Sequence, residues 1–365
     1  MHIKDRPYFE NMDALRFVAA MMVVFSHIAT AEGFPVGRVA SYVQRFLSLD
    51  GEGGDEGVRF FFVLSGFLIT YLMHWESKNA ESFSVGNFYV RRILRIWPLY
   101  FGILLFGFVI YPQINAYYQT HNGNPWWYLF FLANFDQLQT QPAPVLGVLW
   151  SVAIEEQFYL FWPLLFVATA RGRFLPWICL ICLTLSVVHI ISGGVSIHTL
   201  AALLDLSTGA LAASACYNKP ERIARFFQWV GRWGAMFIYA AGVLMLFLTF
   251  WLNHNVPWFH FVERPLHALF FAFIIVDQNF SNNSPFKVGS LKSMSHFGKI
   301  SYGIYMLHAL ALLIAAGIAG YLGLNFYLMT LLGLVLTFVL SELSYRYFET
   351  YFLNLKKRFL RTGPN

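Results

Sequence analysis

Apolar runs long enough to cross a lipid bilayer recur along this chain of 365 residues, and they restrict its fold more than any other feature. A helix needs about 20 apolar residues to cross a hydrocarbon core of roughly 30 Å. Only 12% of the residues are charged, whereas soluble domains carry about 25%. The sequence therefore predicts an all-α polytopic membrane protein with about ten transmembrane helices. The predicted spans are 14–31, 58–76, 96–112, 147–168, 174–192, 199–216, 233–251, 258–277, 300–319 and 326–345.

Lys and Arg are distributed unevenly between alternate loops. Twenty of them lie in loops and termini on one side of the predicted spans, and two, Arg38 and Arg45, lie on the other. Because cytoplasmic loops carry the excess of positive charge, both termini are predicted to be cytoplasmic. Anionic lipid explains the net charge of +6, so no nucleic-acid partner is expected. The segment Trp126 to Phe135 is predicted to be an outer interfacial or re-entrant piece, since a further span there would reverse the bias.

The predicted organisation is one integral-membrane domain over 1–352, followed by a short basic cytoplasmic tail over 353–365. The first span is predicted to be an uncleaved insertion signal, because a polar stretch precedes it. Cys179 and Cys182 form a C-x-x-C with no further ligand nearby, so they are interpreted as small apolar residues and no metal site is predicted.

The first span carries two ionisable residues, Arg16 and His27. Eleven residues at 100° each return both side chains to within about 20° of one helix face, roughly 16 Å apart along the axis. Arg16 is therefore expected near the cytoplasmic edge and His27 near the middle of the bilayer. An ionisable residue at that depth is costly and typical of a functional interior.

Other polar residues are predicted at a comparable depth, and together they indicate a polar chamber. They are Ser65, Glu155, Glu156 and His308, with Asp205 nearer the outer face. Each also has a structural interpretation. Ser65 with Gly66 is typical of a close helix contact, His308 of a hydrogen-bonded bundle residue, and the two glutamates of ion pairs with Arg16, Arg59 or Arg264.

Cations cluster at the predicted cytoplasmic ends of several spans. They are Arg91, Arg92, Arg95, Arg16 and Lys299. Two interpretations remain open: they anchor the topology as snorkelling side chains, or they form a socket for the phosphates of a cytoplasmic ligand, which guanidinium groups match.

Five motifs follow one another along the chain: MDALRFVAAMMVVFSH, GVRFFFVLSGFLI, FYVRRILRIWPLY, LWSVAIEEQFYL and FGKISYGIYMLH. In this order the chain resembles the acyltransferase 3 family of integral-membrane O-acyltransferases. The resemblance implies transfer of an acyl group, most often acetyl from acetyl-CoA, to hydroxyls of extracytoplasmic or lipid-linked glycans. It implies acyl-CoA as co-substrate with no tightly bound cofactor, a glycan or glycolipid acceptor, and a multi-pass location in the bacterial cytoplasmic membrane.

The resemblance also implies roles for individual residues. His27 is implied as the catalytic base, Arg16 as the residue that positions the donor, and Arg92 and Arg95 as ligands of the coenzyme phosphates. Glu155 matches the family's acidic position. Larger members carry an added extracytoplasmic esterase-like domain, which the roughly twenty residues after the last predicted span do not accommodate. Whether a separate protein completes the transfer is left open.

The chemistry of acyl transfer suggests further roles. Glu155 or Glu156 would orient the imidazole, and Ser65, Tyr302 or a backbone N–H beside Gly66 would donate to the thioester oxygen. Direct transfer and a covalent acyl-His27 intermediate both fit the sequence.

Two other classes of protein remain alternatives. A secondary transporter would use His and Glu as a proton relay. A non-catalytic membrane scaffold would have no function for these buried ionisable residues. The acceptor, the length of the acyl group and the oligomeric state are left open.

Overall fold

The structure of the protein, a computed structural model, describes residues 7–29, 55–79, 83–256 and 258–359. Within these ranges the regular secondary structure is helical throughout, which confirms the all-α prediction. The helices are α1 (Glu10–Ala29), α2 (Asp55–Asn79), α3 (Val85–Leu105), α4 (Tyr111–Ile114), α5 (Pro125–Leu129), α6 (Ala133–Asp136), α7 (Pro144–Gly147), α8 (Leu149–Ala168), α9 (Leu175–Ile191), α10 (Thr199–Asn218), α11 (Pro220–Asn255), α12 (Phe259–Phe280), α13 (Lys292–Lys299), α14 (Ser301–Leu322), α15 (Phe326–Leu343) and α16 (Thr350–Lys357). Two π-helical segments, Phe106–Ile110 and Ser344–Glu349, continue α3 and α15, and Ala116–Gln119 and Val288–Ser290 are 3-10 helices.

Eight helical stretches of the described chain are long and apolar enough to cross a membrane, which confirms the polytopic prediction. The other two predicted spans, 147–168 and 174–192, coincide with α8 and with the shorter α9. The predicted interfacial piece forms α5 and most of α6, of five and four residues, which are too short to cross. The end of the first predicted span, together with Arg38 and Arg45, lies outside the described residues.

Local sequence chemistry sets several helix ends. The Ser84 hydroxyl accepts the backbone N–H of Asn87 at the start of α3, and the Asn325 side chain accepts that of Leu328 at the start of α15. Such caps satisfy backbone donors that the first turn of a helix leaves without a partner. Gly323 ends α14 with a φ of 66°, a left-handed conformation that glycine adopts without strain.

A break at Gly231 divides α11, which would be about 54 Å long if it were straight. Gly231 has φ 63° and ψ 178°, outside the helical region. The residues 220–230 therefore form a separate helical arm, and only the residues 232–255, about 36 Å long, have the direction of the predicted span. The predicted span over 233–251 begins just after this break.

The described chain forms two compact units. The first unit holds α1, α2 and α9 to α13. The second holds α3 to α7, α8 up to Leu165, and α14 to α16. The short segment 197–199 also belongs to the second unit.

Glycines bring helices of the first unit into backbone contact. A Cβ atom on Gly66 of α2 would lie 2.0 Å from the carbonyl oxygen of Leu206 in α10, and one on Gly57 would lie 2.7 Å from that of Ala19 in α1. Real Cβ atoms do not approach backbone this closely, so only glycine fits at these crossings. Consequently α2 lies against both neighbours with no side chain between the backbones.

Amide side chains order the second unit around α6 and α8. The Gln157 Nε2 donates to Asn134 Oδ1 over 2.9 Å, the Thr199 hydroxyl donates to Gln157 Oε1 over 2.7 Å, and Asn134 Nδ2 donates to Thr199 Oγ1 over 3.0 Å. Gln157 also donates to the carbonyl of Phe131, whose φ is 55°. This closed ring fixes the short helices between α4 and α8 onto the long helix α8.

Candidate active site

The predicted site residues divide between the two units. The first unit holds Arg16, His27, Ser65 and Lys299, and the second holds Arg91, Arg92, Arg95, Glu155, Glu156, Tyr302 and His308.

Arg16 is held by an acidic residue that the sequence reasoning missed. Its Nη1 donates to Asp13 Oδ1 over 2.9 Å, and the Tyr8 hydroxyl donates to Asp13 Oδ2 over 2.7 Å. Partial burial and this hydrogen bond raise the pKa of Tyr8 to about 12, so Tyr8 stays a donor throughout the physiological range. Asp13 lies one turn before Arg16, and this spacing is the local signal that predicts such a pair.

The α13 helix packs onto the same turn of α1. A Cβ on Gly298 would lie 1.9 Å from the carbonyl oxygen of Asp13, so glycine is needed for this approach. Phe297 also packs against Phe17, with the rings tilted and their centroids 5.2 Å apart. The exposed Lys299 ends α13 directly beyond this contact. The first unit therefore places two cations, Arg16 and Lys299, on helices that are in contact.

His27 lies in the last described turn of α1 and is partly buried. Its Nδ1 lies 3.0 Å from the carbonyl oxygen of Val23, one turn earlier. A carbonyl oxygen only accepts, so Nδ1 must donate, and in the neutral ring Nε2 carries the lone pair. The backbone of α1 thus fixes the tautomer in which Nε2 is the basic atom.

Ser65 lies in the middle of α2, and its neighbour Gly66 forms the close crossing with α10 described above. This agrees with the packing interpretation of the Ser-Gly pair. The expectation that Ser65 or the adjacent backbone donates to a thioester oxygen stays a prediction.

Glu156 lies in α8 and is bound by a neutral donor. The Trp97 indole N–H donates to Glu156 Oε2 over 2.9 Å. The other oxygen, Oε1, is buried and accepts no hydrogen bond within the described chain. Glu155 precedes it and is partly buried. Arg16, Arg59 and Arg264, which the sequence offered as counter-ions, bind Asp13, Glu56 and Asp205 of their own unit.

The three arginines of α3 differ in what they contact. Buried Arg91 donates from Nη1 to the carbonyl oxygen of Phe359 over 3.1 Å, so it holds the end of the described chain. Arg92 lies over the rings of Phe88 and Tyr159, 5.5 Å from each centroid. Arg95 makes no hydrogen bond, ion pair or ring contact within the described residues. Of the three, Arg95 is the guanidinium best placed to take a ligand.

Glu349 is a second acidic residue that the sequence reasoning missed. It ends the π-helical segment Ser344–Glu349, is only 6% exposed, and accepts from the Ser344 hydroxyl over 3.0 Å. It also lies within electrostatic range of Arg95 and Tyr302. Segments of π-helix occur often at functional sites, yet no spacing in the sequence distinguishes this one.

Tyr302 and His308 lie in α14, and both bind backbone carbonyls. The Tyr302 hydroxyl donates to Ile96 O over 2.8 Å. Since a hydroxyl has one proton to donate, Tyr302 would have to break this hydrogen bond before it could donate to a thioester oxygen. The Nδ1 of fully buried His308 lies 2.6 Å from Tyr305 O, so it donates there and Nε2 carries the lone pair. The hydrogen bond agrees with the structural interpretation of His308 that the sequence left open.

The fold and these residues define a polytopic helical membrane protein with a candidate acid–base site. The family model described as an acyltransferase domain matches residues 9–346. The chain belongs to this family, acyltransferase 3, as its five motifs predicted.

The similar proteins extend beyond the length of this chain. The peptidoglycan O-acetyltransferase OatA of Listeria monocytogenes is 24% identical, over 95% of this chain and 56% of its own length. The O-acetyltransferase OatA of Staphylococcus aureus is 27% identical, over 94% of this chain and 57% of its own length. The chain thus spans a little more than half of these relatives. No solved structure matches the chain.

Proposed function

We propose that the chain is an O-acetyltransferase of the cell membrane that moves an acetyl group from acetyl-CoA to a hydroxyl of a cell-surface glycan. Membership of the acyltransferase 3 family supports the reaction class. The name of the Listeria relative, a peptidoglycan O-acetyltransferase, makes peptidoglycan the first acceptor to try.

The orientation of His27 is the observation that carries the proposal. With Nδ1 committed to Val23 O, Nε2 is the atom that takes the proton from the acceptor hydroxyl. The hydroxyl oxygen then attacks the thioester carbonyl carbon, the C–S bond breaks, and the imidazolium returns the proton to the departing thiolate to give CoA-SH. A general base of this kind is typically worth about 10²–10⁴-fold in rate.

The donor is proposed to bind through arginines. Arg95 is assigned to a coenzyme phosphate because nothing in the described chain occupies its guanidinium, and Arg92 is assigned beside it on the same helix face. Arg16, oriented by Asp13, is proposed to position the thioester arm. Ping-pong kinetics would indicate a covalent acetyl-His27 intermediate in place of direct transfer, whereas ternary-complex kinetics would support direct transfer.

The test measures CoA-SH release and acetyl-CoA binding by the purified protein, with peptidoglycan fragments as acceptor. We expect His27→Ala to lower kcat by about 10²–10⁴-fold with donor binding retained. We expect Arg95→Ala to weaken acetyl-CoA binding and to abolish the difference in affinity between CoA and 3′-dephospho-CoA. Arg222→Ala, which removes an exposed cation of the 220–230 arm, is the matched control and should behave as wild type.

Two results would overturn the proposal. One is wild-type protein that neither binds nor consumes acetyl-CoA. The other is full turnover by His27→Ala. Solute uptake driven by a pH gradient without any acyl donor would instead support the transporter alternative.

A further inference from the structure

A buried group of charged side chains lies in the first unit, and the proposed reaction does not use it. We name it the ionic cluster, and its members are Glu56, Arg59, Asp205, Glu263, Arg264 and His267. Five of them are less than 9% exposed, and Asp205 and His267 are fully buried. Charged residues in membrane helices are costly and rarely present without a role.

Both ring nitrogens of His267 have hydrogen-bond partners on other helices. The Thr249 hydroxyl donates to the carbonyl oxygen of Met245 over 2.9 Å, so it accepts from His267 Nε2, 3.1 Å away. On the other side of the ring, Nδ1 lies 2.8 Å from Glu56 Oε1, which also accepts from Arg59 Nη1 over 2.8 Å. His267 therefore bridges Glu56 of α2 and Thr249 of α11 through its two ring nitrogens.

Ion pairs connect the remaining members of the cluster. Arg264 donates from Nε and Nη2 to Asp205 Oδ2, over 3.0 and 2.7 Å. Arg59 lies 3.8 Å from Glu263. Among the described residues the cluster thus joins three carboxylates to two arginines and one histidine.

The cluster is linked to α1 through the first turn of α2. Glu56 is followed by Gly57, where a Cβ would lie 2.7 Å from Ala19 O and 2.7 Å from Val23 Cγ2. Val23 is the residue whose carbonyl accepts the Nδ1 of His27. The first turn of α2 therefore lies between the cluster on one side and the turn of α1 that orients His27 on the other.

We propose that the Glu56–His267 pair is a positioning device for His27: it fixes the first turn of α2, which in turn holds the Val23 turn of α1 in place. The proposal rests on the proposed role of His27 as base. Neither Glu56 nor His267 touches the reacting atoms in this scheme, so both are positioning residues. Their loss should slow the reaction without weakening the binding of the donor.

The experiment compares variants that differ in which part of the cluster they remove. Glu56→Gln keeps the shape of the side chain but removes the carboxylate that contacts Arg59 and His267. We expect it to lower kcat at least tenfold while the KM for acetyl-CoA stays within twofold. The matched control is Asp277→Asn in α12. Asp277 is also a fully buried carboxylate, but it binds the hydroxyls of Tyr239 and Ser284, and we expect the variant to keep kcat within twofold.

A milder pair of variants keeps the test decisive if Glu56→Gln does not fold. Thr249→Val removes only the acceptor of His267 Nε2, and Thr249→Ser restores it. We expect a several-fold loss of kcat in Thr249→Val and its recovery in Thr249→Ser. Folded Glu56→Gln or Thr249→Val protein with wild-type kcat would refute the positioning role. Wild-type protein without CoA-SH release, or His27→Ala with full turnover, would instead refute the proposed function itself.

Discussion

The two units satisfy their buried carboxylates in different ways. In the first unit, Glu56 and Asp205 bind arginine or histidine cations at 2.7 to 2.8 Å. In the second unit, Glu156 and Glu349 accept from the neutral Trp97 and Ser344. The ionic cluster thus pairs its carboxylates with basic side chains, whereas Asp277 of the same unit binds hydroxyls. The second unit leaves Glu156 Oε1 without a donor and Arg95 without a bound partner in the described chain, which suits a unit that receives a ligand.

The largest effect is expected where the first unit loses one member of an ion pair. Arg264→Met leaves Asp205 without its counter-ion, and breaking a buried pair in this way typically costs about 3–5 kcal/mol of stability. The double variant Asp205→Leu with Arg264→Met removes both charges and should recover most of that loss. Unfolding of the detergent-solubilised protein measures both. Equal losses in the single and double variants would contradict the importance of pairing.

A smaller effect is expected from added volume at a helix crossing. Gly66→Ala places a methyl group against Leu206 O, a backbone atom that cannot rotate away. We therefore expect the free energy of unfolding to fall by roughly 3 kcal/mol, the upper end of the usual range for an overpacked core. Gly317→Ala in α14 of the second unit meets nothing within 4 Å and should gain about 0.5–1 kcal/mol from helix propensity. If the same unfolding assay shows both alanines to be neutral, the close packing assigned to the first unit is wrong.

The smallest effect concerns the neutral donors of the second unit. Trp97→Phe removes the indole N–H from Glu156 and should cost about 1–2 kcal/mol. Glu156→Gln keeps an acceptor for Trp97 and should change stability by less than about 1 kcal/mol. A larger loss in Glu156→Gln than in Trp97→Phe would mean that a cation, and not the indole, stabilises this carboxylate.

Features encoded within one helix were predictable from the sequence. The apolar runs predicted the eight long membrane helices, because a span needs only local composition. The spacing of Arg16 and His27 places them correctly on one helix. The i, i+3 spacing of Asp13 and Arg16 is also a local pattern, and it is sufficient to predict their ion pair.

Features that depend on distant contacts were not predictable. Glu56 and His267 are 211 residues apart, and no local pattern signals their pairing. Likewise, Tyr302 and Ile96 are 206 residues apart, and no local pattern signals their hydrogen bond. The break at Gly231 also escaped prediction, since an isolated glycine inside an apolar run is usually tolerated without a change of direction.

The glycine crossings of α2 also limit how the first unit can move. Where side chains separate two helices, a rotamer change lets one helix shift by a fraction of an ångström. At Gly57 and Gly66 the backbones touch directly, so no side-chain rearrangement can change the spacing. Any motion of α2 during turnover must then be a slide of the whole helix along α1 and α10, the shear type of motion, which keeps interhelical distances constant. His27 would accompany such a slide only as far as α1 itself moves.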